Sequence, residues 1–175
     1  MDRSPLDKAP QAAAAASHLE AFLESLGVDV SDPLLRETPA RAAHLFAELL
    51  RGSDPAAEPG FTFLGNADPH AGLVLARDLS FYSLCAHHML PFFGRAHIAY
   101  LPGTRLAGLG DLARSLDYHS RRLTLQERVA AGIADHLERG LEPRGVAVLL
   151  EARHLCLEMR GRRKRAVSGV DRRAG

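Results

Sequence analysis

Two short segments of the chain carry side chains that could bind a metal ion. In Ser83 to His88, a thiol at Cys85 and an imidazole at His88 stand three residues apart, a spacing that suits two ligands of one tetrahedral zinc ion. The second segment is His154-Leu155-Cys156, and the chain has two cysteines in all. If Cys156 joins Cys85 and His88, zinc has three protein ligands and one open position, which is typical of a catalytic site.

An extended stretch is predicted from Gly145 to about Arg160, as two strands with a bend. Alternation along a strand would place polar groups on one face, namely His154, Cys156, Glu158 and Arg160. Water bound at an open zinc position ionises near neutral pH. His87 and His154 would then remain beside the metal, placed to transfer protons.

Two other interpretations of these residues stay open. The cysteines could be buried small apolar residues and the histidines surface groups, which is the usual situation for an isolated Cys or His. A closed structural zinc site could also form, with His87 or His154 as the fourth ligand. We favour a metal because Cys85 and Cys156 both lie next to histidines at ligand spacing.

Hydrophobic spacing predicts the elements that position these segments. One helix is predicted over Gln11 to Leu26, with Gly27 as its stop, and a second begins at Thr38-Pro39, with Thr38 as N-cap, and ends by Gly52. A surface loop is expected from Ser53 to Asn66. Two strands, two helices and the final extended stretch follow, over about 72–81, 92–101, 110–118, 124–137 and 145–160.

This order of two helices, two strands, two helices and two strands (ααββααββ) predicts an α+β fold. The expected architecture is a four-stranded antiparallel sheet with helices on one face. At 175 residues the chain is long enough for one good core and short for two domains. We expect a flexible tail over residues 1–10, one domain over 11–161 and a basic tail over 162–175, which contains the run Arg162 to Arg165.

The charge balance argues against nucleic acid or a membrane as the main partner. Lys and Arg total 22 against 21 Asp and Glu, a formal net charge of +1, so recognition must come from local chemistry. The segment Ala12 to Ala16 is too short for a signal-peptide core or a membrane span. A cytoplasmic location is therefore the working expectation, and its reducing conditions would keep both cysteines as thiols.

The sequence resembles the GTP cyclohydrolase I family from about Glu37 to Gly161, through several separated motifs in the right order. The matching segments are Glu37-Thr38-Pro39-Ala40-Arg41, Cys85-Ala86-His87-His88-Met89-Leu90-Pro91-Phe92, His97-Ile98-Ala99-Tyr100-Leu101-Pro102, Gly108-Leu109, Gln126-Glu127-Arg128, His154-Leu155-Cys156 and Arg160-Gly161.

The resemblance implies a tunnelling fold, in which such sheets assemble side by side into a barrel-forming homo-oligomer, a pentamer ring or a decamer. It implies Zn²⁺ bound by Cys85, His88 and Cys156, with His87 and His154 as the proton-transfer pair. The implied reaction is hydrolytic opening of the purine imidazole ring, from GTP to 7,8-dihydroneopterin triphosphate and formate.

The resemblance also implies substrate contacts. Glu127 would receive the ring NH and exocyclic amine of guanine, and Gln126 is a weaker candidate. Arg41, Arg114 and Arg160 are candidates for the phosphates. Without the family, Arg41, Gln126 and Glu127 would be interpreted as solvated helix positions.

The chain departs from the family where the phosphates would bind. Ala86 replaces the usual Glu between Cys and the two His, His44 stands where a lysine is common, and Gly110-Asp111 replaces the usual Ser-Lys. Asp111 would repel a triphosphate and could pair with Arg114, three residues later on a helix; it could equally be a helix cap or first-turn acid.

Three functional hypotheses follow from these features. The first is the family reaction on GTP. The second keeps the ring opening but uses a less phosphorylated or modified purine, as nucleotide, nucleoside or base. The third is a catalytically silent partner that binds zinc and a purine or pterin, which the presence of both His87 and His154 argues against. A nitrile reductase of the same fold is disfavoured because no nicotinamide-site signature is apparent.

Overall fold

The structure is a computed structural model that describes residues 9–66, 72–159 and 165–173. Arg160 and the basic residues 162–164 lie outside this range. The chain divides into two compact units, residues 1–51 and residues 52–175. In the part of the chain that is described, no helix is long and apolar enough to cross a membrane.

The first unit contains two helices that pack against each other, α1 (Ala9–Ser25) and α2 (Thr38–Leu49). Gly27 follows α1 with φ +79°, a left-handed conformation that glycine adopts without a steric penalty, so the predicted stop is confirmed. Helix α2 begins one residue earlier than predicted, with Glu37 as N-cap and Pro39 in its first turn.

The second unit is built on an antiparallel sheet. Its long strands are β2 (Val74–Cys85), β3 (Pro91–Leu101), β6 (Gly145–His154) and β7 (Arg165–Arg173), adjacent in that order. The two-residue strand β5 (Leu123–Thr124) adds a parallel edge to β2, so this sheet has one strand more than predicted. Strands β1 (Phe63–Asn66) and β4 (Arg105–Ala107) form a separate pair within the segment 52–175.

Alternating burial places the helices on one face of the sheet. Along β6, the buried residues are Val146, Val148, Leu150 and Ala152, and the residues between them are more exposed, as expected for a strand with one core-facing side. These side chains join one apolar cluster with those of α3 (Leu109–Ser120) and α4 (Gln126–Leu141). The predicted α+β architecture is therefore observed.

Helix α4 contributes the apolar stripe that its sequence predicts. Val129, Ile133 and Leu137 are fully buried at four-residue spacing, because positions i and i+4 lie on the same side of a helix. Leu125 lies four residues before Val129 and inside the predicted helix 124–137, but it is the N-cap residue of α4. The surface loop predicted over Ser53 to Asn66 also contains β1 and a 3₁₀ turn, Pro55–Ala57, and a second 3₁₀ turn, Arg51–Ser53, ends at its first residue.

Two sequence predictions near the candidate site are wrong. Strand β2 continues to Cys85, beyond the predicted end near residue 81, so this cysteine ends a strand. The predicted strand pair over 145–160 is a single strand, β6, followed by the short helix α5 (Leu155–Glu158), so strand alternation does not relate His154 to Cys156.

The fourth long strand comes from the segment predicted to be a basic tail. Residues 165–173 pair with β6 along its length, from Arg153 with Arg165 to Gly145 with Arg173. The sequence Arg165-Ala166-Val167-Ser168-Gly169-Val170 contains two β-branched residues, which favour a strand. The charged residues around it concealed this signal.

Candidate functional site

The β2–β3 turn presents the first candidate motif to solvent. Cys85 N–H donates to the Leu90 carbonyl and Met89 N–H donates to the Cys85 carbonyl, both at 2.9 Å. Met89 has φ +56°, which a residue with a side chain rarely adopts and which tends to mark functional sites. This tight turn leaves Ala86, His87 and His88 exposed while Cys85 points into the core.

His87 lies beside the Cys85 thiol. Its Nδ1 is 3.8 Å from Cys85 Sγ, and its ring centroid is 6.2 Å from that of His88. The two adjacent histidines therefore occupy the same turn, with His87 directed toward the sulfur in this structure.

The second motif lies at the same end of the sheet. Phe92, near the start of β3, pairs with Ser83 of β2 on one side and with His154 of β6 on the other. The His154 ring stacks on Phe92, with centroids 5.0 Å apart and planes at 4°. Cys156 follows two residues later in α5, so the ends of β2 and β6 bring both cysteine motifs to one region.

Both thiols are buried in the same apolar cluster. Cys85 is 4 % exposed and Cys156 is 5 % exposed, and neither is in a disulfide. In the described ranges, the His, Cys, Asp and Glu side chains whose ligand atoms all lie within 4.8 Å of one another are those of Glu58, His119 and His136. The ligand atoms of Cys85, His88 and Cys156 do not form such a group.

A hydrogen-bond chain fixes His154 from the side of α4. Gln126, only 1 % exposed, donates from Nε2 to the Leu150 carbonyl at 2.8 Å, and its Oε1 lies 2.8 Å from His154 Nε2. Burial lowers the pKa of His154, and the carboxylates of Glu127 and Glu158 act in the opposite direction. Glu127 is therefore close enough to His154 for their charges to interact.

The two predicted substrate residues of α4, Gln126 and Glu127, differ in their exposure to solvent. Glu127 is exposed in the first turn of the helix, where a ligand can reach it. Gln126 is buried, and both ends of its amide bond to protein groups. In the structure the Gln126 amide therefore contacts His154, and its direct contact with a substrate stays a prediction.

Asp111 forms the predicted ion pair with Arg114. Its Oδ1 contacts Arg114 Nη2, and its Oδ2 accepts from Thr62 N–H at 3.1 Å. Asp111 is buried in the first turn of α3, while about half of the Arg114 side chain is exposed. Gly108 is the N-cap of this helix, so Asp111 is an acidic residue of the first turn and does not cap the helix.

The structure does not test the other two predicted phosphate contacts. Arg41 belongs to the first unit, where its Nη2 is 2.6 Å from Glu37 Oε2 on the exposed side of α2. Arg160 lies outside the described residues.

The Glu58, His119 and His136 cluster was missed by sequence reasoning. The two histidines are 17 positions apart on α3 and α4, and Glu58 precedes both by more than 60. No short-range spacing signals such a group, because tertiary packing alone brings it together.

Comparisons with known proteins find the same family that the sequence motifs resemble. The family model described as GTP cyclohydrolase I matches residues 15–173. A protein of Brevibacillus brevis named GTP cyclohydrolase 1 is 42 % identical over 160 residues, covering 91 % of this chain and 82 % of the relative. One of the same name from Streptococcus pyogenes is 46 % identical over 146 residues, covering 82 % of this chain and 74 % of the relative.

A solved structure supports the fold. A crystal structure of the archaeosine synthase QueF-Like in the apo form superposes with a TM-score of 0.50 at 14 % identity, covering 60 % of this chain and 97 % of that one. At this identity the similarity concerns the mixed α+β fold alone.

Proposed function

Because this chain belongs to the GTP cyclohydrolase I family, we propose that it hydrolyses the imidazole ring of GTP to give 7,8-dihydroneopterin triphosphate and formate. The observation that carries this proposal is the meeting of functional groups at one end of the sheet. There, His154 is stacked on Phe92 and bonded to Gln126, near Glu127 and the two cysteine motifs.

The donor set at this end fits zinc. Two thiols and an imidazole are ligands that zinc prefers, and both thiols are shielded from solvent. Cys85, His88 and Cys156 would hold the ion, and we expect the exposed His88 turn to close onto it. When bound, zinc supplies Lewis acidity and lowers the pKa of a coordinated water.

The two remaining histidines would handle protons during ring opening. His154 Nε2 faces the Gln126 Oε1 acceptor, so in the neutral ring Nδ1 carries the lone pair and can take a proton. His87 is exposed and directly precedes the proposed ligand His88 in the chain. It would exchange protons with the nitrogen that leaves carbon 8. The net reaction consumes one water and releases carbon 8 as formate.

Glu127 would recognise the guanine. Its carboxylate is a double acceptor, which matches the adjacent ring NH and exocyclic amine of that base. Its position one residue after Gln126 would set the distance between the bound base and His154.

The phosphate contacts favour a second candidate substrate. Asp111 already pairs with Arg114, so the cation offered to a triphosphate is partly neutralised. The same ring opening on a less phosphorylated or modified purine is therefore the alternative function.

Assembly into a ring of copies of this chain, a pentamer or a decamer, is also proposed. The sheet face opposite the helices exposes apolar side chains, including Leu75, Tyr82, Leu149 and Val167, which a neighbouring copy would cover. Strand β7 lies at one edge of the sheet, where a second sheet can continue the ladder.

The deciding experiment follows formate and pterin fluorescence with GTP, GMP and guanosine as separate substrates, together with zinc content. Formate from GTP supports the first function, and formate only from GMP or guanosine supports the alternative. Zinc and ligand binding without turnover would indicate a silent partner. Cys85→Ser and Cys156→Ser should each lose activity and the zinc equivalent that the two thiols hold, whereas His18→Ala, which removes an exposed histidine of α1, should lose neither.

A further inference from the structure

A second group of metal-ligating side chains lies away from the cysteine motifs. Glu58 follows a short turn, His119 is near the end of α3, and His136 is on α4. One ligand atom from each lies within 4.8 Å of the other two. All three belong to the unit formed by residues 52–175.

His119 offers a buried nitrogen. The residue is 8 % exposed, and within the described residues its Nε2 has no hydrogen-bond partner. The other side of the ring packs on α4, where a Cβ at Gly132 would lie 2.6 Å from His119 Nδ1. Burial, reinforced by Arg122, His136 and Arg139, lowers the pKa of His119 to about 3, so the ring stays neutral and can offer a lone pair.

His136 has a partner that can orient it as a ligand. Its Nδ1 lies 2.8 Å from Ser115 Oγ, and its Nε2 lies 3.0 Å from the Pro59 carbonyl. The Pro59 carbonyl can only accept, so without an ion His136 Nε2 carries the hydrogen and Nδ1 accepts from the Ser115 hydroxyl. Metal binding would use the other tautomer, in which Nδ1–H donates to the Ser115 hydroxyl and Nε2 offers its lone pair, which is how an outer hydrogen bond commonly fixes a metal-binding histidine. The distance of 3.0 Å between His136 Nε2 and the Pro59 carbonyl oxygen is about the distance between two ligand atoms of one ion. The Pro59 carbonyl is therefore placed to be a fourth donor.

Glu58 closes the cluster on its solvent side. Its side chain is 38 % exposed, and its Oε1 accepts from Arg139 Nη2 at 2.9 Å. A carboxylate that reaches solvent gives an ion a path into the group, and Arg139 competes with that ion for the same oxygen. Arg122 is the other nearby cation, and its guanidinium stacks over the Tyr118 ring.

We propose that Glu58, His119 and His136 form a second binding site, for a divalent transition-metal ion. Two neutral imidazoles and one carboxylate are a donor set for zinc, cobalt or nickel. An ion bound there would link the segment around Glu58 to helices α3 and α4. This site is independent of the proposed ring-opening activity.

Cobalt titration of the full chain tests this proposal. Cobalt held by thiolates gives a strong near-ultraviolet charge-transfer band, whereas cobalt held by imidazole and carboxylate does not. We therefore expect the wild type to bind one equivalent with that band and a further equivalent without it, as measured by absorbance and elemental analysis. In Cys85→Ser the band should disappear while the further equivalent remains.

Substitutions in the Glu58, His119 and His136 cluster should affect only the cobalt equivalent that binds without the thiolate band. Glu58→Gln, on the exposed side, and His119→Gln should each abolish it or weaken it by more than about 100-fold, and Ser115→Ala should weaken it by about 10- to 100-fold. Arg139→Gln should strengthen it, since the competing cation is removed. His18→Ala is the matched histidine control and should leave it unchanged.

The proposal fails if the wild type binds no cobalt beyond the equivalent with the thiolate band. It also fails if Glu58→Gln binds the further equivalent as tightly as the wild type. Because Glu58 is partly exposed, this variant should fold even if His119→Gln does not, and thermal unfolding of each variant will show this.

Discussion

Gln126 holds His154 in a single tautomer. The amide nitrogen of Gln126 donates to the Leu150 carbonyl, which leaves Oε1 facing His154 Nε2 at 2.8 Å. An amide oxygen can only accept, so His154 Nε2 must carry a hydrogen. The nitrogen left to exchange protons with a substrate is therefore Nδ1.

Replacing Gln126 with Glu should shift the pH dependence of the reaction. A carboxylate beside His154 favours the imidazolium and raises the pKa of His154, so the acid limb of the kcat profile should move to higher pH. Gln126→Leu should instead lower kcat by about tenfold, since a buried donor left without a partner costs about 1–3 kcal/mol. Unchanged pH profiles in both variants would argue against the positioning role.

Asp111→Asn should improve the binding of a triphosphate. The amide keeps an acceptor for Thr62 N–H but removes the charge paired with Arg114. We expect KM for GTP to fall by about 3- to 10-fold, with little change in kcat, since about 1 kcal/mol of like-charge repulsion is removed. Guanosine is the internal control, and an equal change in its KM would contradict this explanation.

The stability of the metal-free protein should fall as the pH decreases below about 6.5. Burial lowers the pKa of His119 to about 3, so folded His119 stays neutral below the ordinary value of 6.5, where its unfolded form binds a proton. Burial also lowers the pKa of His136, which acts in the same direction. Proton uptake by the unfolded state then costs up to about 1.4 kcal/mol per pH unit for His119. For His119 this loss continues to about pH 3.

Urea unfolding near pH 7 and near pH 5, with a chelator present, measures this effect. His119→Gln should show a smaller loss between the two conditions than the wild type, and His18→Ala should match the wild type. If all three proteins lose the same free energy of unfolding, the buried histidines do not cause the pH dependence.

Gly94→Ala should destabilise the sheet by about 3 kcal/mol or more. A Cβ at Gly94 would lie 1.8 Å from the Glu151 carbonyl oxygen, and a backbone atom within a strand pair cannot move aside as a side chain can. Gly60→Ala is the matched control, because nothing lies within 4 Å of its Cβ, and its free energy of unfolding should change by less than about 1 kcal/mol. Thermal or urea unfolding would distinguish the two.

The long elements could be predicted from the sequence because each repeats its signal many times. Val129, Ile133 and Leu137 mark α4, and Gly27 marks the end of α1. The α5 turn could not be predicted, since four residues carry too little periodicity to separate a helix from a strand. Strand β7 was missed because arginines surround its short β-branched segment.

The candidate site, like the fold, could be predicted from the sequence only in part. The residue types at Cys85, His88, His154 and Cys156 suggested the chemistry, and the Asp111–Arg114 pair followed from its helical spacing. Burial of Gln126 could not be inferred, because the first turn of a helix presents residues to core and solvent alike. The Glu58, His119 and His136 group depends on contacts between distant segments, which no local pattern encodes.

The two residues of β5 connect two parts of the proposed chemistry. Thr124 pairs with Cys85, and its carbonyl accepts from Ala86 N–H at 2.9 Å, while Gln126 and Glu127 follow immediately in the chain. The Ala86 backbone is therefore joined by one hydrogen bond to the segment that carries Glu127. We expect ion loading and purine affinity to be thermodynamically linked, so that each ligand tightens the other by the same factor.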